Sequence, residues 1–425
     1  MTADLSYTPL GQLCDPERGI TYGIVKVGDF VSGGVPVIRG GDIRKGKIVF
    51  DDQKRVTEEI SQQFQRTILR GGEIVINLIA EPGHTAIVPP ELSGANVSRD
   101  VGVIALNDKV EHRYVDYCLK SPMAVRWLTS RLQGSVTQKI NLGTLRELPI
   151  PDRPREVQRA IAHILGTLDD KVDLNRRTNE TLEAMARTLF KSWFVDFDPV
   201  RAKAGGRRPS GMDAEIAKLF PSEFEESELG LIPRGWRVGT IGDLIEIHDA
   251  KRVPLSARER EQRRGKFPYY GATSVMDHVD DFLFDGIFVL IGEDGSVVTE
   301  AGYPFLQYVW GQFWVNNHAH VLTGLGGVSQ EHLFLILSQT NIAAFVTGAV
   351  QAKLSQGNLR RIPTVVPPGE VSAQFGSTIA SLFARFRSNV EETSTLTRAR
   401  DELLPRLLSG ELSVARAESA VEATA

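Results

Sequence analysis

Sliding the chain against itself by 214 positions exposes a duplication that constrains the fold more than any other feature. Residues 134–149, GSVTQKINLGTLRELP, align with 348–363, GAVQAKLSQGNLRRIP. Gly134, Val136, Lys139, Gly143, Leu145, Arg146 and Pro149 meet identical residues at Gly348, Val350, Lys353, Gly357, Leu359, Arg360 and Pro363. Composition alone would give about one such match. At the same offset Leu168, Asn175, Leu182 and Leu189 fall on Leu382, Asn389, Leu396 and Leu403, each set spaced by seven. A second row, Leu165, Val172, Asn179, Ala186 and Trp193, falls on Ile379, Phe386, Thr393, Arg400 and Leu407. This spacing predicts a long helix in each half, the two pairing as a coiled coil, with Asn175 and Asn389 fixing register and Arg400 and Thr393 as poor seam residues.

Breakers mark where the helices start. Pro151 and Pro154 precede Glu156, and Pro367, Pro368 and Gly369 precede Glu370. A helix over about 155 to 197 would be roughly 60 Å long. Ahead of each helix lie Val/Ile-rich runs bounded by Gly and Pro, which read as strands and hairpins: 31–50, 72–88 and 97–106, then 267–275, 286–298 and 313–322. The expected fold class is therefore α+β, two mixed α/β domains separated by two long antiparallel coiled-coil helices, with an internal pseudo-two-fold duplication. The expected boundaries are 1–153 for the first domain, 154–198 for the first helix and 199–235 for a Pro/Gly-rich connector. The second domain follows at 236–366, the second helix at 367–410, and a disordered tail at 411–425.

Apolar residues form 42% and charged residues 24% of the 425, which excludes a wholly disordered or collagen-like chain. Two distant cysteines, Cys14 and Cys118, suggest a reducing compartment, and no signal peptide or membrane span is read, so the expected location is cytoplasmic. With 49 basic and 53 acidic residues, a net charge of -4 argues against coating nucleic acid by bulk charge and leaves site-specific binding open. Locally the balance reverses: 251–266 carries seven cations, Lys251, Arg252, Arg258, Arg260, Arg263, Arg264 and Lys266.

A search for catalytic patterns finds no active site. Gly41–Lys47 has the glycine and lysine spacing of a phosphate loop, but Ile48 stands where a magnesium-binding hydroxyl belongs, so Gly46 is read as a hairpin turn. His318 and His320 share a strand spacing without sequence-near carboxylates that would complete a metal set. His84 has no nucleophile or acid at motif spacing, and neither a dinucleotide fold signature nor an amino-methyltransferase motif is present. Two diverged modules without chemistry suggest a scaffold that reads two different half-sites.

The chain resembles the specificity subunits of type I restriction-modification systems. The resemblance rests on 142–200, on ELGLIPRGWRVGTIGDL at 228–244, and on GGVPVIRGGDI and VNNHAHVL. It implies two target recognition domains, each reading one half of a bipartite double-stranded DNA site, held apart by the paired helices. It also implies two docked methyltransferase subunits that hold S-adenosylmethionine, with motor-nuclease subunits joining for cleavage. No cofactor and no catalysis are expected of this chain itself. A self-sufficient modification or cleavage enzyme and an orphan DNA-independent scaffold are the competing readings; S-adenosylmethionine binding by the chain alone would favour the enzyme.

For DNA contact, the first domain offers Arg18, Thr21, Tyr22 and Lys26 in one loop and Arg39, Asp42 and Arg44 after the PVI strand. The second offers Lys251, Arg252, Tyr269, Tyr270, Thr273 and Ser274, while Lys139 and Lys353 are candidates for a shared phosphate contact. Trp193, Phe194 and Phe197 form an aromatic group expected either in the helix seam or as a methyltransferase-docking site.

Overall fold

The computed structural model describes residues 5–50, 54–134, 137–348 and 350–422, with side chains to 418; the repeat residue Val136 and the last three tail residues lie outside them. The chain divides into two units, Met1–Asn175 with Glu391–Ala425, and Arg176–Val390. Each long helix therefore contributes to both units.

In the first unit the β-branched runs IVIN and VGVI form the centre of a four-stranded antiparallel sheet ordered Ile20–Tyr22, Val101–Ile104, Ile74–Asn77, Thr85–Ile87. Both central strands are buried along their whole length, which is why they read as continuous apolar runs. A smaller sheet places Val35–Ile38 between Arg55–Val56 and Asn96–Val97. The main core joins Ile20, Ile74, Ile76, Ile104, Tyr114 and Val115 to Ile161 and Leu165 of the first long helix and Leu404 and Leu407 of the second. Cys14 and Cys118 are buried free thiols, and burial pushes Cys14 up to about 12, so neither is poised for thiolate chemistry. The tail expected to be disordered instead forms a helix, Val414–Glu422, with Ala417 fully buried in this core.

The second unit holds a six-stranded sheet ordered Ile245–Ile247, Ala319–Gly324, Phe284–Gly292, Leu306–Val315, Arg264–Tyr270, Val275–Val279. Its core joins Ile245, Val289, Ile291, Leu322 and Leu333 to Phe190 and Trp193 of the first long helix and Phe375 and Ile379 of the second. Residues 199–235 are not a free connector: Val200 and Phe220 are buried in the same core, Ile232 is buried, and a hairpin pairs Phe224–Ser227 with Gly230–Pro233.

The long helices span Arg155–Phe194 and Gly369–Ser409 and run antiparallel within each unit. In the first unit Leu168 and Val172 cluster with Leu396, and Asn175 donates to Glu392 at 2.7 Å. Arg400, a misfit in an apolar seam, is paired there with Asp169 at 2.7 Å. In the second unit Asn389 donates to the Asn179 side chain at 2.8 Å, and Asn179 to the Phe386 carbonyl at 3.2 Å. Three residues past the end of the first helix, Phe197 adopts φ +53 and opens a short helix, Asp198–Ala204. Among the described residues, no helix is long and apolar enough to cross a membrane.

The duplicated sequence has duplicated geometry. Gln133 and Lys139 exchange backbone hydrogen bonds of 3.0 and 2.9 Å; Thr347 and Lys353 exchange theirs at 2.9 and 2.7 Å. Gly134 and Gly348 sit at φ +98 and +96, and a Cβ on either would lie 2.2 or 2.1 Å from the carbonyl oxygen of Thr137 or Gln351. Only glycine fits both the angle and the space. Asn141 then caps helix Leu142–Glu147 and Ser355 caps Gln356–Arg360. Each motif ends in a strand, Pro149–Pro151 or Pro363–Val366, paired antiparallel with Tyr7–Pro9 or Arg237–Thr240.

Candidate nucleic-acid interface

Strand register brings several expected residues to one end of each sheet. In the first unit Asn77 faces Val101, and Tyr22 faces Gly102, so the ends of these strands open together. The turn before Val101 is tied into the same end: Asp100 accepts from the Gly40 N–H at 2.9 Å, and Leu78 N–H reaches the Asp100 carbonyl at 2.8 Å. Ile140 N–H in turn binds the Leu78 carbonyl at 2.9 Å. This end thus gathers Tyr22, the loop carrying Lys26, Arg39 and Lys139. Tyr22 is 50% exposed, and Lys26, Arg39, Arg44 and Lys139 are exposed cations. Arg44 belongs to the hairpin Ile43–Arg44/Lys47–Ile48, whose turn places both Lys45 and Gly46 at positive φ.

In the second unit Gly292 faces Ala319, and Ile247 faces Leu322. Glu293 N–H binds the His318 carbonyl at 2.8 Å, and Leu354 N–H binds the Glu293 carbonyl at 2.9 Å. Gln307 donates to the Gly271 carbonyl at 3.0 Å, which brings the turn bearing Thr273 and Ser274 to the same end. Lys251, Thr273, Ser274 and Lys353 are exposed there, with Tyr270 half-buried against Phe313.

Five of the expected DNA contacts are turned from solvent or committed to partners. Arg18 is 8% exposed; it pairs with Glu73 at 2.6 Å and donates to the Ile68 carbonyl at 2.8 Å. Asp42 accepts from Arg39 N–H at 2.8 Å and pairs with Lys54 at 3.0 Å, so it shapes the turn rather than reading a base. Tyr269 is 1% exposed, its hydroxyl accepting from Leu255 N–H at 2.9 Å. Arg252 is committed to Glu293 at 2.7 Å, Asp249 at 3.2 Å and the Ala319 carbonyl at 2.7 Å. Thr21 is half-buried with its hydroxyl enclosed and unpartnered among the described residues, so it too is turned away from solvent.

Arg252 belongs to a buried ion network. His320, fully buried, has Nδ1 2.6 Å from Asp249 Oδ2 and Nε2 2.7 Å from the Leu354 carbonyl, and Gln356 donates to Asp249 at 2.6 Å. Burial opposes the Asp249 carboxylate, but donors from His320 and Val321 and the nearby Arg252 hold its pKa below the usual value. Asp249, Glu293 and His320 lie close enough to suggest a metal set. The guanidinium of Arg252, bonded to both carboxylates, supplies the positive charge, which supports a structural network instead.

The aromatic group is core. Trp193 is 5% exposed, 5.1 Å from Phe220 and 5.3 Å from Phe375; Phe194 lies 4.9 Å from Phe375; Phe197 is edge-on to Trp236 at 5.6 Å. Of the two expectations, helix seam or docking, the packing fits the first, and the segment after the helix folds back over these rings. The first long helix instead exposes Leu174 and Met185, and an open apolar pocket of about 330 Å³ in the second unit is lined by Leu182, Tyr308, Trp310, Phe334, Phe383 and Phe386.

Sequence reading passed over Arg258 and Lys266 as individual contacts, yet both are exposed cations with no ion pair among the described residues, and Arg264 has only a distant one to Glu261 at 3.9 Å. Ser256 and Glu259 form a capping box that presents Arg258 on a short helix, a signal legible in the sequence. Arg260 and Arg263 are absorbed by Asp277 and Asp280 and by the rings of Tyr269 and Trp314. Arg264 pairs in register with Val279, at the opposite end of the hairpin from Thr273 and Ser274.

Comparison with known proteins also finds two halves. Residues 24–184 and 233–398 each match the family model described as the type I restriction modification DNA specificity domain. The MjaIX specificity subunit of Methanocaldococcus jannaschii is 24% identical over 411 residues, spanning 92% of this chain and 89% of the relative. The HindI specificity subunit of Haemophilus influenzae is 25% identical over 443 residues, spanning 89% and 94%. The fold is similar to the crystal structure of a type I restriction-modification S subunit from M. genitalium, with a TM-score of 0.60 at 16% identity over 96% of this chain and 97% of the other.

Proposed function

The chain belongs to the type I restriction-modification DNA specificity family, and on that premise we propose that the open sheet ends of its two units each read one half of a bipartite double-stranded target. The observation that carries this reading is the pairing of sameness and difference. One family match falls on each recognition sheet, the backbone device around Lys139 and Lys353 is shared, and the exposed residues beside it are not. One unit exposes Tyr22, Lys26 and Arg39, and the other exposes Lys251, Thr273 and Ser274. Cations position the duplex through phosphates, and hydroxyls, amides and aromatic edges discriminate bases.

The chain itself performs no covalent chemistry. Two methyltransferase subunits dock on the helix faces that expose Leu174 and Met185 and hold S-adenosylmethionine, and motor-nuclease subunits join them for cleavage. The assembly works in the cytoplasm, where the two buried cysteines stay reduced. The test is to express the chain with a type I methyltransferase in a methylation-free host and map modified bases across the genome. Adenine modified in both halves of a split motif, lost when either gene is omitted, is expected. Modification by this chain alone would make it an enzyme and defeat the proposal.

A further inference from the structure

A surface kept the same in two units whose neighbouring loops differ must meet something that is the same at both half-sites. The stems Gln133–Lys139 and Thr347–Lys353 keep the same backbone pairing, the same turn glycine and the same closing lysine, and neither contains an acidic residue. Each stem is bridged to the chain that leaves a central strand, at Ile79 in the first unit and Asp294 in the second. Each therefore belongs to the open sheet end rather than to the long helices. What two different half-sites share at that end is the sugar-phosphate backbone.

The equivalence also shows where the units part. Ile140 N–H binds the carbonyl of Leu78, and Leu354 N–H binds that of Glu293, so a buried leucine in the first unit stands in the place of a carboxylate in the second. Lys139 has no ion pair among the described residues. Lys353 Nζ lies 3.8 Å from Glu293, which Arg252 holds in place at 2.7 Å.

We propose that Lys139 and Lys353 are paired phosphate contacts of unequal strength, Lys139 acting with its full charge and Lys353 with a charge partly answered by Glu293. The proposal rests on the reading of the sheet ends as the DNA-binding surface. Binding at Lys353 must compete with an existing carboxylate partner, whereas Lys139 gives up only water and counterions. Each phosphate neutralised by a cation adds about 0.9 to the slope of log K against log salt.

The test uses the full chain and a fluorescein-labelled duplex of arbitrary sequence, with anisotropy titrations between about 50 and 200 mM salt. Lys139→Ala is expected to reduce the slope by about 1, Lys353→Ala by clearly less, and Lys139→Arg to leave it in place. The loss should be the same on unrelated sequences. Both lysines are exposed, so melting temperatures should match the parent chain and separate a lost contact from a lost fold. An unchanged slope in Lys139→Ala, with the parent chain still binding in a salt-dependent way, would overturn the proposal while leaving the DNA-reading function standing. Loss of methyltransferase co-purification with that unchanged slope would assign the stems to the protein partner instead. A parent chain that shows no salt-dependent duplex binding would remove both.

Discussion

Trp193→Ala should lower the stability of the second unit by about 3–5 kcal/mol, the range for deleting a large aromatic from a packed core. Its ring is surrounded by Phe194, Phe220 and Phe375 at centroid distances of 6.2, 5.1 and 5.3 Å, so truncation leaves a cavity in the core. Denaturant unfolding followed by circular dichroism reads the effect as an earlier midpoint with an unchanged slope. A midpoint equal to that of the parent, with weakened methyltransferase binding, would return Trp193 to a docking role.

The same aromatic core contains a histidine that should make the second unit acid-sensitive. His332 lies 4.6 Å from Phe194, 4.7 Å from Phe375 and 5.9 Å from Phe190, and neither ring nitrogen has a partner among the described residues. Burial pushes its pKa down to about 3 from 6.5. Above the unfolded value both states are neutral, and the residue adds no pH dependence. As the pH falls below it, the unfolded chain takes up a proton that the folded chain refuses, so stability drops by about 1.4 kcal/mol per pH unit until the folded group titrates. Between about pH 7 and pH 4.5 the parent should lose roughly 2–3 kcal/mol from this source, and His332→Phe should lose none of it. Replacing both unmet ring nitrogens by an apolar edge should also leave stability at neutral pH equal or higher. Parallel pH slopes for the two proteins would contradict this account.

The duplication was legible because the backbone enforces it. Gly134 and Gly348 are the only residue type that fits their turns, and Asn141 and Ser355 are cap formers at equal positions, so the motif survives in letters. The long helices were legible through seven-residue spacing, including Asn175 and Asn389 in a buried seam. Burial of the individual cations was not legible, since their partners come from distant strands. Glu73 lies 55 residues from Arg18, and Glu293 lies 41 from Arg252. No local pattern distinguishes such an arginine from one that waits for a phosphate; Lys26 and Arg18 look alike until the sheet assembles around one of them. What covers the aromatic group at the end of the first helix was not legible for a related reason. Its density signals burial against something, and only the fold-back of residues 199–235 shows that the cover is the chain's own. The division of each long helix between two units is equally invisible in a linear reading, which assigns a helix to one domain or to none.

The central claim is that the two units read their half-sites independently. Replacing residues 1–153 by the corresponding segment of another family member, co-expressing the chimera with the methyltransferase, and mapping modified bases tests it directly. One half of the bipartite motif should change to that of the donor while the other half stays as in the parent. A change in both halves, or in neither, would contradict the account.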